Sequence, residues 1–187
     1  MTRPAMTREV TSPVLPGDWV ADPAACTLAF AVRNFGLRTV TGQIPLTSAV
    51  VHVGPSGEPD SIRAELDANG IRTGNPRRDN DLRGRRFLAT DQWPVITFEA
   101  GYVKPVRTAR TVSGTLTVKD THCPVRLDVA SFAIPADGQA AQVDLRATGR
   151  LDRRSAGVTA GPAFLIGRLV SLALAVRLRR QAGPPQR

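Results

Sequence analysis

The chain is poor in the residues that carry most protein chemistry. Among its 187 residues there are two cysteines, two histidines and two lysines, and aromatics make up only 5%. Cys26 and Cys123 are too few for a disulfide framework, although a single bridge between them stays open. With His52 and His122 they give four scattered donor residues and no zinc-type spacing. His122 and Cys123 fall at a hairpin between two strands, where a turn role is expected. Serine has no Gly-x-Ser-x-Gly elbow around it, and neither phosphate-cradling glycine pattern occurs. No catalytic residue, metal or cofactor is therefore expected.

Long apolar runs are also missing. The longest, Leu169–Val176, is broken by Ser171 and falls far short of the ~20 residues of a membrane-spanning helix. The opening Met1-Thr2-Arg3-Pro4-Ala5-Met6-Thr7-Arg8 has no apolar core, and Pro13 and Pro16 follow. That is no signal peptide, so a cytoplasmic location is expected.

What is abundant is arginine. The net charge is +9 and the pI about 11.2, which first suggests nucleic acid or an anionic surface. The charge is local, however. Residues 72–86 hold six Arg against two Asp, residues 146–154 four Arg against one Asp, and residues 177–187 four Arg. The rest of the chain is mildly acidic. Stacking aromatics are wanted beside a nucleic-acid patch, and only Phe87 lies near the first cluster. A nucleic-acid or acidic-partner binder using these clusters is thus kept as an alternative only.

With 42% apolar residues, a chain of this length can bury a sizeable core. No linker divides it and no repeat occurs, so one domain is expected over residues 18–180. It lies between a flexible lead-in (1–17) and a flexible tail (181–187). Its dominant period is two. Cys26, Leu28, Phe30 and Val32 alternate with polar or small residues, as do Ile62, Ala64 and Leu66. So do Val112, Gly114, Leu116 and Val118, then Val125, Leu127 and Val129. These are half-buried antiparallel strands. Further strands are expected near Val40–Gln43, Ala49–Val53, Val95–Tyr102 and Gln142–Thr148. Leu169–Leu178 is a strand as well, because Val170, Leu172, Leu174, Val176 and Leu178 share one side. Residues 78–88 suit a short helix capped by Asn75 or Asp79. Leu151–Val158 is a second candidate helical turn. About eight strands make a sandwich or a barrel, and closure favours the barrel because it leaves no edges.

Several collinear motifs are more specific. Trp19-Val20-Ala21-Asp22-Pro23 with Thr27–Val32, Val40-Thr41-Gly42, and Thr73–Phe87 with Asn75, Arg78, Asp79 and Leu82 resemble the YceI-like family. So do Trp93-Pro94-Val95-Ile96-Thr97-Phe98, Val112–Val118, Pro124-Val125, Leu151-Asp152-Arg153 and Ile166-Gly167 with Val170. The chain departs from the family pattern at Asn34, Ala156, Arg168 and Leu169. The resemblance implies an all-β, eight-stranded antiparallel lipocalin-like barrel with one or two short helices. It also implies a binder of polyisoprenoid chains, such as a polyprenyl lipid or an isoprenoid quinone, in a family with many periplasmic members.

On that footing the expected function is a non-catalytic carrier or sequestering protein holding a long isoprenoid-like amphiphile inside the barrel. The expected lining is Leu28, Phe30, Val32, Ile62, Leu66, Ile96, Phe98, Leu116, Val118, Leu127, Val129, Leu172 and Leu174. The head-group rim is expected at Arg78, Arg83, Arg85 and Arg86, with Asp79 and Asp81 pairing Arg78 and Arg83 to fix the helix. An enzyme of isoprenoid or quinone metabolism on the same barrel is the second alternative. Peripheral membrane contact and a homodimer stay open.

Overall fold

The computed structural model describes residues 14–34, 38–101, 105–106, 109–133, 142–161 and 166–181. The alternating segments all form strands: β1 (Gly17–Ala21), β2 (Thr27–Asn34), β3 (Arg38–Gln43), β4 (Leu46–Val53), β5 (Pro59–Asp67), β6 (Val95–Ala100), β7 (Pro105–Val106), β8 (Ala109–Val118), β9 (Thr121–Ala133), β10 (Gln142–Asp152) and β11 (Ile166–Arg180). Tyr102, expected at the end of one strand, lies outside the described residues, as do residues 1–13 and 182–187.

Two of these pairs are single long strands with a bend. β1 and β2 run along the same edge of β11, Ala21 opposite Leu178 and Thr27 opposite Ala175. The one-turn 3-10 helix Pro23–Ala25 kinks the chain between them. β3 and β4 are likewise parted at Ile44-Pro45, where a proline cannot donate to the ladder. Counted this way, and with the two-residue β7 that pairs β8 alone set aside, there are eight barrel strands, each antiparallel to its sequence neighbours. β1 pairs both β4 and β11 and so closes the barrel. The antiparallel eight-stranded barrel expected from the alternation is the fold.

The excursion after β5 carries the helix. A 3-10 turn (Ala68–Gly70) is followed by α1 (Pro76–Arg83). Asn75 caps α1, its side chain accepting from the Arg78 N–H at 3.1 Å, with Pro76 at the first helical position. Asp79, the other candidate cap, has a different task and is buried. The helix stops at Arg83 rather than running to 88, because Gly84 and hydrogen-bonded turns follow. The second helix expected over Leu151–Val158 is not one. β10 continues to Asp152, and residues 153–157 are hydrogen-bonded turns. His122 and Cys123 also lie beyond the tight turn, on β9. His122 is exposed with Nδ1 3.0 Å from Thr117 Oγ1, and Cys123 points into the core.

Two carboxylates tie the outer faces of the last strands. Arg177 donates to both oxygens of Asp144 (2.8 and 2.9 Å), and Arg168 donates twice to Asp152 (2.8 and 2.6 Å). These guanidinium hydrogen bonds hold both carboxyls below the usual carboxylate range. A carboxyl depressed in the folded state binds its proton later than in the unfolded chain. The pairs therefore stabilise the fold above the ordinary carboxylate pKa of about 4, and that contribution is lost as pH falls below it. Chemical denaturation across an acid series should show this limb in the wild type and a flatter one in Asp144→Asn/Asp152→Asn. Superimposable acid limbs would contradict the assignment.

Candidate binding cavity

Every inward-facing apolar side chain of the barrel has the same period, yet the two ends of the interior differ. At the β1 end it is packed: Trp19 is 1% exposed and Val143 2%. Trp19 Nε1–H donates to the Leu15 carbonyl at 2.9 Å, and Val14 is buried beside it. At the α1 end, Leu28, Phe30, Val32, Leu116, Leu127, Leu172 and Leu174 point inward but stay partly accessible. They face a cavity of about 390 Å³. That is within the range of small-molecule sites. An eight-stranded barrel is just wide enough to be filled or to hold one ligand, and this one does each over part of its length.

Eleven of the thirteen expected positions line this cavity: the seven just named with Leu66, Ile96, Phe98 and Val118. Ile62 and Val129 do not. They border a second, smaller cavity of about 80 Å³ among Trp19, Val51, Val112, Val143 and Leu178. Both lie on the right face of their strands but too far towards the packed end. Val125 and Val170, which follow the same alternation, line the large cavity too. Phe87, Leu88, Val158 and Ile166 join from turns and strand ends, where periodicity carries no signal.

The cavity keeps its bore partly through glycine. Phe30 and Gly42 are register partners on β2 and β3, and the Phe30 ring tip lies where a Gly42 Cβ would stand. Any larger residue at 42 would drive that ring into the lumen.

Among the described residues four polar side chains border the cavity: Asn34, Arg78, Asp81 and Arg153. Asp81 is exposed, so the α1 side is the mouth. Arg78 is anchored through Thr73, its Nε donating to Thr73 Oγ1 (2.8 Å) and its Nη2 to the Thr73 carbonyl (3.1 Å). Buried Asp79 accepts from the same hydroxyl and from the Thr73 N–H (2.9 Å). The expected Arg78–Asp79 pair is thus a three-residue network around Thr73, which sequence reasoning did not single out. Arg83 is no free cation for a head group. Its donors serve the carbonyls of Asn69 (2.7 Å) and Ile71 (3.1 Å) and the Asn80 side chain (3.0 Å). Asp81 is not its partner. Arg85 and Arg86 are exposed, beside cavity-lining Phe87. Among the described residues neither makes a side-chain hydrogen bond or ion pair.

Arg153 is the least expected member. It is 4% exposed, and all five of its N–H groups reach backbone carbonyls. Nε donates to Gly167 (3.1 Å), Nη1 to Val158 and Ala160 (both 2.8 Å), and Nη2 to Gly161 (3.0 Å) and Ile166 (3.1 Å). Burial lowers its pKa from the ordinary arginine value.

The remaining chemistry is spare. Cys26 and Cys123 are free thiols, and burial pushes both up, away from the reactive thiolate. Buried Arg153 apart, the clustered arginines among the described residues are exposed or half-buried, and two of them are in ion pairs, Arg177 with Asp144 (2.8 Å) and Arg179 with Asp22 (3.4 Å).

A family model described as the YceI-like domain matches residues 19–178. The chain belongs to the YceI-like family. Among curated relatives, a UPF0312 protein of Yersinia pestis (strain Pestoides F) is 33% identical over 69 residues, 37% of this chain. The chain spans about a third (36%) of the length of the curated relatives it matches. Solved structures agree on the fold. Burkholderia cenocepacia BcnA superposes with a TM-score of 0.73 at 16% identity, covering 84% of this chain and 98% of that one. A polyisoprenoid binding domain from Saccharophagus degradans gives 0.66 at 16%, covering 89% and 100%. The YceI protein of Campylobacter jejuni gives 0.67 at 18%, covering 78% and 88%. Within this YceI-like barrel the Thr73 network anchors the helix at the mouth, and Arg153 holds the turn that borders the cavity between β10 and β11.

Proposed function

We propose that this YceI-like barrel is a non-catalytic carrier that holds one long isoprenoid-like amphiphile, such as a polyprenyl lipid or isoprenoid quinone, in its large cavity. The observation that carries the reading is a row of inward Leu, Val and Phe side chains left partly accessible around about 390 Å³ of space. A wall so nearly apolar favours a hydrocarbon chain. Each five-carbon unit buried contributes about 3–4 kcal/mol before the costs of association. The solved neighbour described as a polyisoprenoid binding domain shares the fold. The polar end would lie at the α1 mouth, within reach of Asp81 and Arg78, with Arg85 and Arg86 outside. A carrier role is supported by the lining, which among the described residues is almost wholly apolar, with Asp81 its carboxylate.

Native mass spectrometry of the purified protein should show an adduct that solvent extraction releases as a prenyl lipid. Delipidated protein should then take up farnesol or solanesol saturably with one-to-one stoichiometry. Protein that carries no lipid and binds neither alcohol would overturn the proposal.

A further inference from the structure

The large and small cavities follow one another along the same strands, and the Phe98 ring lies towards the level between them. Along β8 the inward positions run Val118 and Leu116 in the large chamber, Gly114 in neither, then Val112 in the small one. Along β10 they run Leu151 in the large chamber, Gly149 and Ala147 in neither, then Leu145 in the small one, and along β11 Val176 lies in neither, between Leu174 and Leu178. On β8 and β10 the level between the chambers is therefore walled by very small residues, while β11 brings Val176. Phe98 on β6 turns a far larger side chain towards it. It sits in register with Ala64, which in turn faces Ala49. It is 8% exposed. A Cβ built on Gly114 would stand 2.5 Å from its Cζ and 2.6 Å from its Cε2. The ring thus lies in the space left by the missing side chain.

We infer that Phe98, seated on Gly114, is the floor of the binding chamber and sets the longest chain the barrel accepts. The inference rests on the lipid-binding reading above and adds a determinant of chain length to it. A chain entering from the α1 mouth passes Val32, Phe30 and Leu28 and ends against the ring. Apolar contact grows with each isoprene unit until that point, and further units must fold back or stay outside. Past the ring, the lumen continues between Ile62, Val112 and Val129 to Trp19.

The test is a chain-length profile. Delipidated wild type and Phe98→Ala are titrated with farnesol, geranylgeraniol and solanesol, whose head groups are identical. In the wild type, affinity should rise with length and then level off. In Phe98→Ala the rise should continue to a longer alcohol, increasing the long-to-short affinity ratio about tenfold or more for each further unit admitted. A Phe98 that only stabilises the barrel would weaken every alcohol alike and leave the ratio unchanged, and that result overturns the inference. Phe98→Leu removes the ring while keeping a core side chain, and answers the same question if the alanine variant does not fold. Failure of wild type to bind any alcohol would instead overturn the lipid-binding reading itself.

Discussion

Arg153→Ala should unfold at a far lower urea concentration than the wild type, with a loss on the order of 3–5 kcal/mol. That is a large part of the 5–15 kcal/mol that holds a typical domain together. The guanidinium is a buried cation that gathers five carbonyls from residues 158–167. Removing it strands several buried acceptors at about 1 kcal/mol or more each, and opens a void under Leu151 and Ile166. Arg153→Lys should recover little, because an ammonium has three donors in a compact head and cannot span five acceptors arranged around a planar fork. Equilibrium urea unfolding checks this. The midpoint should fall in both variants with a similar slope. A lysine variant as stable as wild type would show that charge, not the fork, matters at this site.

Val170→Trp should have the opposite profile: prenyl-alcohol binding lost and stability kept. Val170 faces the large cavity between its register partners Val32 and Leu151. An indole there would occupy space that the ligand chain needs. Excluding even one isoprene unit should weaken binding about a hundredfold. Filling vacant volume gains dispersion contacts, so stability should change by less than about 1.5 kcal/mol. The contrast is Val143→Trp at the packed end. Val143 is 2% exposed, and overpacking such a site costs about 1–3 kcal/mol or more. Melting temperature and alcohol titration on the two variants read both effects. If Val170→Trp destabilised the protein as much as Val143→Trp, the interior at Val170 would be packed rather than hollow.

The strands could be read along the chain because a half-buried strand writes its own signature. Thr115 and Thr117, alternating with Gly114, Leu116 and Val118, leave one apolar face, whatever the partner strand. Asn75-Pro76 could be read as a helix start for the same local reason. The errors came where a local pattern had two outcomes. Leu151–Val158 makes helix-like hydrogen bonds, but β10 claims Leu151 and Asp152 because the ladder to β11 runs through them. Asp79 resembles a cap, but Thr73 reaches it from six residues back.

Thus the sequence alone determined the strands, which face of each is apolar, and the position of the helix, since these depend on neighbours a few residues apart. Tertiary structure decided which apolar faces meet one another and which meet empty space. Ile62 and Leu66 follow one alternation, yet Ile62 borders the chamber closed by Trp19 and Leu66 the open one. The volume left inside a barrel depends on side chains from strands more than a hundred residues apart. Trp19 and Val143 fill one end, Gly42 makes room at the other, and Gly114 seats the Phe98 ring between them.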